Sequence, residues 1–240
     1  MTPYYDHAGI TIYHGDAREL FADVVPPGAV VVTDPPYSAG IAYDVYRDTL
    51  PEWLALMEWL LSLTAPMVFT LSHSRLFDLP KRPQWVGCWD KQFTGGIVHI
   101  GASPTWEPVC FYNLPKGSRR WDDVFRVPPH GFPYHIPKDP QGHPCPKPVA
   151  LYKQLIRVLP DGLVVDPMMG SGTTLRAAKD GRRPAIGIDM SEQYCEIAAR
   201  RLEQEVLPLE DHHELTRLEC LRRLVAADEP VIRPIARGHR

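Results

Sequence analysis

The chain of 240 residues has no run of about 18 or more apolar side chains, the length a membrane-crossing helix needs, so no segment is read as a span. Its opening residues, Met1-Thr2-Pro3-Tyr4-Tyr5-Asp6, lack the basic stretch and apolar core of a secretory leader. Cysteine is scarce: Cys88, Cys110, Cys145, Cys195 and Cys220 are odd in number and never closely paired. That scatter argues against a disulfide framework and a zinc site, so no metal is expected, and it suits a reducing cytoplasm. Neither sign of charge is in large excess, with 26 Lys and Arg against 29 Asp and Glu and a formal net charge of -3. Phosphate binding calls for a basic surface, but a local stripe can supply one on an otherwise acidic molecule. Overall charge therefore leaves nucleic acid open as a partner. No internal repeat is present, and at this length one domain with a sizeable core, with or without a small appendage, is expected.

Proline, by contrast, is plentiful, at 26 residues. It clusters between Val127 and Pro140, a stretch that can be neither a regular helix nor a central strand and is read as a long, functional or mobile loop. Elsewhere, short runs rich in Val and Ile alternate with helical patterns. Strands are expected at 9–13, 29–33, 67–71, 92–100, 108–113, 163–165 and 185–188, and helices at 53–63, 149–158, 173–179 and 192–205. Such alternation predicts an α/β fold with a mostly parallel sheet flanked by helices. Residues 206–240 read as a charged, helical C-terminal extension.

Two of the expected strands end in turns that carry chemistry. Leu163-Val164-Val165-Asp166-Pro167-Met168-Met169-Gly170-Ser171-Gly172-Thr173-Thr174 is a strand, a Gly-rich turn and a helix start. Glycines there let backbone approach a ligand, and the helix N-terminus offers free N–H groups and a positive dipole end. The next strand runs into Asp189, an acid suited to ribose hydroxyls. No Lys precedes Thr173, which excludes a Walker phosphate loop, and the three spaced glycines of a dinucleotide fingerprint are absent. A nucleoside-type cofactor remains, against the alternative of a merely structural turn.

The second turn, Asp34-Pro35-Pro36-Tyr37, follows the strand at 29–33 and so belongs to the same edge of a parallel sheet. An exocyclic base amine is a weak nucleophile because its lone pair is delocalised into the ring. An acceptor pair, the Asp34 carboxylate and the Pro35 carbonyl, can take both N–H groups and localise that lone pair toward a methyl donor. Tyr37 offers a stacking surface for a base turned out of its helix. The bland alternative is a Pro-Pro turn beside an ordinary acid.

Thr33-Asp34-Pro35-Pro36-Tyr37-Ser38, taken with Asp166 to Thr174, resembles the amino-methyltransferase family of site-specific DNA methyltransferases. The catalytic motif precedes the cofactor motif, as in the family's permuted beta class. His143-Pro144-Cys145-Pro146-Lys147-Pro148 matches its His-Pro-x-x-Lys-Pro signature, and Ile188 to Ala198 looks like its second cofactor strand and helix. The resemblance implies a Rossmann-like S-adenosylmethionine-dependent methyltransferase fold over residues 1–205, with target recognition at about 74–142. It implies a catalytic site of Asp34, Pro35, Pro36 and Tyr37. It further implies S-adenosylmethionine held by Asp16, Lys147, Pro148, Asp166, Met168, Gly170, Ser171, Gly172, Thr173 and Asp189. Met168 departs from the Phe usual in the family. The implied substrate is double-stranded DNA, in a bacterial or phage restriction-modification setting, and a homodimer is compatible with the sequence.

Asp at position 34 resembles the adenine-methylating members more than the cytosine-methylating ones, so adenine N6 is expected, with cytosine N4 as the alternative. RNA or protein-amide acceptors and a catalytically inactive DNA-binding protein are the competing classes. Protein-amide relatives resemble Asn-Pro-Pro-Tyr, against which Asp34 speaks. Trp106-Glu107 is read as core just before a strand, or as a pair orienting a substrate loop. Arg119-Arg120 beside Trp121 suits either DNA contact or a solvated charge cluster. His143 with Cys145 is too sparse for a metal site, and His212-His213 reads as solvated surface.

Overall fold

A computed structural model describes residues 1–41, 43, 45–92, 105–117, 120–129 and 147–203. Its strands are β1 (Tyr5–His7), β2 (Ile10–His14), β3 (Val30–Thr33), β4 (Met67–Thr70), β5 (Trp85–Asp90), β6 (Trp106–Tyr112), β7 (Val124–Arg126), β8 (Val164–Asp166) and β9 (Ala185–Asp189). They form one sheet in the order β1-β2-β9-β8-β3-β4-β6-β5-β7. From β2 to β4 every neighbour is parallel; β1 and β6 run against their neighbours, and β7 lies parallel to β5. The mostly parallel sheet expected from the Val-rich runs is thus present.

Helices α1 (Ala17–Val24), α2 (Leu50–Ser62), α3 (Val149–Val158), α4 (Thr173–Asp180) and α5 (Glu192–Glu203) cover it. β3 shows why the runs are continuous rather than alternating. Val30 and Val32 pack with Leu151, Leu155 and Leu175, from α3 and α4, on one face, while Val31 packs with Trp53, Met57 and Leu60 of α2 on the other. A strand buried on both faces takes apolar side chains at successive positions, and the one polar residue of β3, Thr33, is buried with its hydroxyl on Asp166. Trp53, Met57, Leu60 and Leu61 recur at helical spacing and lie buried against β3, β4 and β6.

Several elements escaped the sequence reading. β1, β5, β7, α1 and a 3-10 turn at His73–Asp78 were not expected, being short or bounded by proline. Of the strand expected at 92–100 only Gln92 is described, a bend with φ 52 two residues after β5 ends at Asp90. Residues 93–100 lie outside the described residues, as do 130–140 of the Pro-rich loop, His143 and Cys145, Arg119, and all of 204–240. Met1–Glu203 forms one compact unit. Trp106 and Glu107 stand inside β6 rather than before it, and Trp106 is 39% exposed, so its reading as core is corrected.

What matters for function is the shared direction of five strands. Val30 and Val31 of β3 lie opposite Val164 and Val165 of β8, Asp166 opposite Gly187 of β9, and Asp189 opposite His14 of β2. The carboxyl ends of β2, β9, β8, β3 and β4 therefore open on one edge, where loops of parallel sheets gather around ligands.

Candidate active site

β3 delivers Asp34 to that edge directly beside the turn that leaves β8. The Asp34 carboxylate is held from three sides. Oδ1 accepts hydrogen bonds from the Thr70 hydroxyl, at the end of β4, and from the Tyr37 hydroxyl at 2.7 Å. Oδ2 accepts from Lys147 Nζ at 2.7 Å. Burial first, and the Asp34 charge second, push the Tyr37 phenol well above its usual pKa, so it remains a neutral donor. The Lys147 ammonium also lies 4.6 Å from the centre of the Tyr37 ring. Pro35 is buried and Pro36 half-buried, which fixes the backbone that presents the acid.

The loop after Tyr37 is clamped as well. The buried Asp48 carboxylate accepts from the N–H groups of Ser38, Ala39 and Ile41 at 2.7, 2.8 and 3.0 Å. Arg75 donates to the carbonyls of Tyr37 and Ser38 at 3.3 and 3.4 Å. Ser38 itself has φ 52, a strained value for a residue with a side chain, and these bonds hold it there.

Across the boundary with β8, Asp166 is 3% exposed and accepts from Thr33 Oγ1 at 2.7 Å and from the Met168 N–H at 3.1 Å. Burial outweighs these bonds and raises its pKa to about 7. The turn continues through Gly170 and Gly172, with φ 49 and 77. Gly170 N–H donates to Asp189 Oδ2 at 2.8 Å, tying the ends of β8 and β9 together, and Ser191 N–H donates to Asp189 Oδ1 at 2.9 Å. Gly172 meets α5: a Cβ there would lie 2.8 Å from the Ala198 Cβ.

Two connected spaces result. A cleft of about 390 Å³ is lined by Asp16, Asp34, Pro35, Pro36, Tyr37, Glu107, Lys147, Met168, Gly170 and Asp189 among others, a size ordinary for a small-molecule site. A smaller space of about 40 Å³ adjoins it, lined by Asp34, Lys147, Asp166, Met168, Gly170, Ser171 and Thr173 with three others. Asp16 caps α1 and pairs with Arg18, whose hydrogen bond lowers its pKa, so it faces the cleft ionised. Of the residues singled out in the sequence, the geometry brings together all but two. Pro148 and Gly172 line neither space; Pro148 caps α3, and Gly172 starts α4 against α5.

Asp48, Arg75 and Trp89 belong to the site or its support and were not singled out for it, whereas Glu107, read with Trp106 as core or as orienting a substrate loop, lines the cleft. Asp48 and Arg75 carry no motif, since their role arises only through folding. Trp89 is buried, donates to the Val127 carbonyl at 2.8 Å and lines the cleft. Trp121 turns inward onto Phe111, with ring centres 4.6 Å apart, and so is not a free stacking surface beside the exposed Arg120. Among the described residues there is no group of three or more side chains placed to hold a metal, and no helix long and apolar enough to cross a membrane.

A carboxylate-bearing turn and a Gly-rich turn on adjacent parallel strands, opening on a nucleoside-sized cleft, define a Rossmann-like methyltransferase. Residues 113–200 match the family described as DNA methylase, acting at N6 and N4. The type II methyltransferase M.ScaI of Streptomyces caespitosus is 26% identical, over 86% of this chain and 86% of that protein. The DNA adenine methyltransferase YhdJ of Escherichia coli K12 is 27% identical, over 80% and 82%. The structure of the cytosine-N4-specific PvuII DNA methyltransferase superposes with a TM-score of 0.63 at 17% identity, over 94% of this chain and 96% of that one, a likeness of fold. Over these spans the chain is similar to the amino-methyltransferase family, whose members are the S-adenosylmethionine-dependent DNA methyltransferases of adenine N6 or cytosine N4.

Proposed function

We propose that the protein methylates adenine at N6 in double-stranded DNA. The observation that carries this reading is the Asp34 carboxylate, fixed by Thr70, Tyr37 and Lys147 at the mouth of the cleft and beside the Gly-rich turn. Asp34 and the Pro35 carbonyl accept the two N–H groups of the target amine and turn its lone pair outward. Developing positive charge on the nitrogen is stabilised by the fixed carboxylate, whose hydrogen-bonded shell needs little reorganisation. No strong base is required, because the amine keeps its protons until it has become a cationic, acidic product.

The residues present fit S-adenosylmethionine, which supplies an electrophilic sulfonium methyl when bound. Asp16 and Asp189, at the ends of the paired strands β2 and β9, suit the nucleoside part of the cofactor. Asp166, Gly170, Ser171 and Thr173 suit its amino-acid part, and Met168 fills with a flexible side chain the place of a packing aromatic. Gly172 and Pro148 act at one remove, by shaping α4 and α3.

Adenine is favoured over cytosine by Asp34 and by the relative YhdJ, named for adenine. The named relatives are bacterial, which supports a bacterial or phage enzyme acting in the cytoplasm. The test is transfer of labelled methyl to unmethylated genomic DNA, followed by nucleoside analysis. Label in N6-methyladenine, lost with Asp34→Ala, is the expected result. Label in N4-methylcytosine overturns the choice of base; no label in DNA from a protein that binds the cofactor overturns the choice of acceptor.

A further inference from the structure

Glu107 has no part in the chemistry set out above, yet its side chain lies in the same cleft and is only 15% exposed. Oε1 pairs with Lys91 Nζ at 2.7 Å. Oε2 lies 3.2 Å from the Tyr37 hydroxyl and 3.8 Å from Lys147 Nζ. Lys147 meanwhile sits on Asp34 Oδ2 at 2.7 Å and over the Tyr37 ring at 4.6 Å. The two groups expected to receive a target base, the Asp34 carboxylate and the face of the Tyr37 ring, are thus both engaged by the Lys147 ammonium.

That arrangement is unfavourable for the reaction in two ways. A carboxylate offers about four acceptor positions. Thr70 and Tyr37 take two on Oδ1 and Lys147 takes one on Oδ2, which leaves little room for the amine. A cation on the same carboxylate also opposes the positive charge that grows on the amine nitrogen during transfer. A second seat for the ammonium is already at hand. Closing the gap from 3.8 Å to a charged hydrogen bond with Glu107 needs a shift on the order of 1 Å.

We propose that Lys147 holds the place of the target amine in the substrate-free enzyme, and that Glu107 is the positioning residue that receives the Lys147 ammonium when the base arrives. The assignment rests on the methyl-transfer reading of the site. In the substrate-free protein it leaves the two carboxylates Asp34 and Glu107 paired with the two ammonium groups of Lys147 and Lys91. It also gives the base a ready exchange of partners, because the cation leaves one carboxylate for another without passing through water.

The test is the single-turnover rate of labelled methyl transfer to unmethylated genomic DNA, with S-adenosylmethionine and DNA saturating. Glu107→Gln is expected to slow transfer about tenfold or more, while cofactor Kd by calorimetry stays within about twofold. Lys91→Met, which breaks the other pair of Glu107 but leaves its charge, is expected to stay within about threefold of the unaltered protein. In a Lys147→Met background, adding Glu107→Gln is expected to change the rate less than about threefold, since the cation to be received is gone. An unchanged rate in Glu107→Gln overturns the proposal. So does an equal slowing in the Lys147→Met background, or a Lys91→Met protein as slow as Glu107→Gln, which would make Glu107 a structural partner only. Should Glu107→Gln fail to fold, Glu107→Asp decides: it keeps the charge but draws it back, and a rate equal to that of the unaltered protein overturns the assignment. No label in DNA from the unaltered protein overturns the methyltransferase reading itself, whereas label there with an unchanged Glu107→Gln rate overturns only the role of Glu107.

Discussion

Asp166→Asn separates the electrostatic cost of the cofactor turn from its hydrogen bonds. Asp166 is almost wholly buried, and although Thr33, Thr174 and the Met168 N–H all donate to it, burial carries its pKa from 3.8 to about 7. The folded protein therefore holds a proton that the unfolded chain has already released above about pH 4. With more protons bound in the native state, stability falls as pH rises between those two values and levels off above about 7. At about 1.4 kcal/mol per pKa unit the loss reaches at most about 4 kcal/mol. Asparagine keeps the acceptor oxygen for Thr33 and Met168 but does not titrate.

The Tm of Asp166→Asn minus that of the unaltered protein should thus grow as pH is raised from 5 to 8, by up to roughly 10 °C at about 2–4 °C per kcal/mol. Thermal unfolding followed by circular dichroism at several pH values and constant ionic strength reads this directly. Other titrating groups are common to both proteins and cancel in the difference. A Tm gap that stays flat across that pH range refutes the reasoning, because it means Asp166 is already ionised in the fold at pH 5.

Gly172→Ala must place a Cβ at φ 77 and 2.8 Å from Ala198, so a loss of about 2–4 kcal/mol and a fall in Tm of roughly 5–10 °C are expected; an unchanged melting curve sinks the packing role assigned to this glycine. Asp48→Ala strips the acceptor from three backbone N–H groups that shape the loop after Tyr37, and is expected to lower kcat about tenfold or more with cofactor Kd within about twofold; a kcat equal to that of the unaltered protein shows that the loop holds its shape without the clamp.

The fold was legible in this sequence wherever both faces of a strand are buried. Val30 to Val32, Met67 to Phe69 and Ala185 to Ile188 are uninterrupted by polar side chains, and their reading as parallel strands holds. β5 was missed because Trp85 and Val86 are largely exposed while Gly87 and Trp89 are buried, so the run shows neither alternation nor a continuous apolar stretch. Gly87 belongs there for a reason no pattern shows: a Cβ on it would lie 2.8 Å from the Asp123 carbonyl, in the space that β7 needs. α1 escaped for the opposite reason, being a single short amphipathic stretch in which few residues are buried.

The site divides along the same physical line. Asp34, Tyr37, Asp166 and Asp189 could be found from sequence because each is attached rigidly to the end of a strand, so its position follows from the strand's own assignment. Asp48 and Arg75 could not, and Glu107, read with Trp106 as core or as orienting a substrate loop, could not be placed beside Asp34, because each reaches the site through a tertiary contact. Asp48 folds back ten residues to Ser38, Arg75 crosses from the 3-10 turn to Tyr37, and Glu107 sits beside β4 only because β6 runs antiparallel to it. The parallel order also explains why the catalytic turn can precede the cofactor turn in the chain. β3 and β8 are hydrogen-bonded neighbours, so Asp34 and Asp166 emerge side by side whichever strand comes first. The requirement is adjacency at the carboxyl edge, and hydrogen bonding between the two strands satisfies it. Chain order then constrains only the length of the connections, where α2, β4 to β7 and α3 lie here.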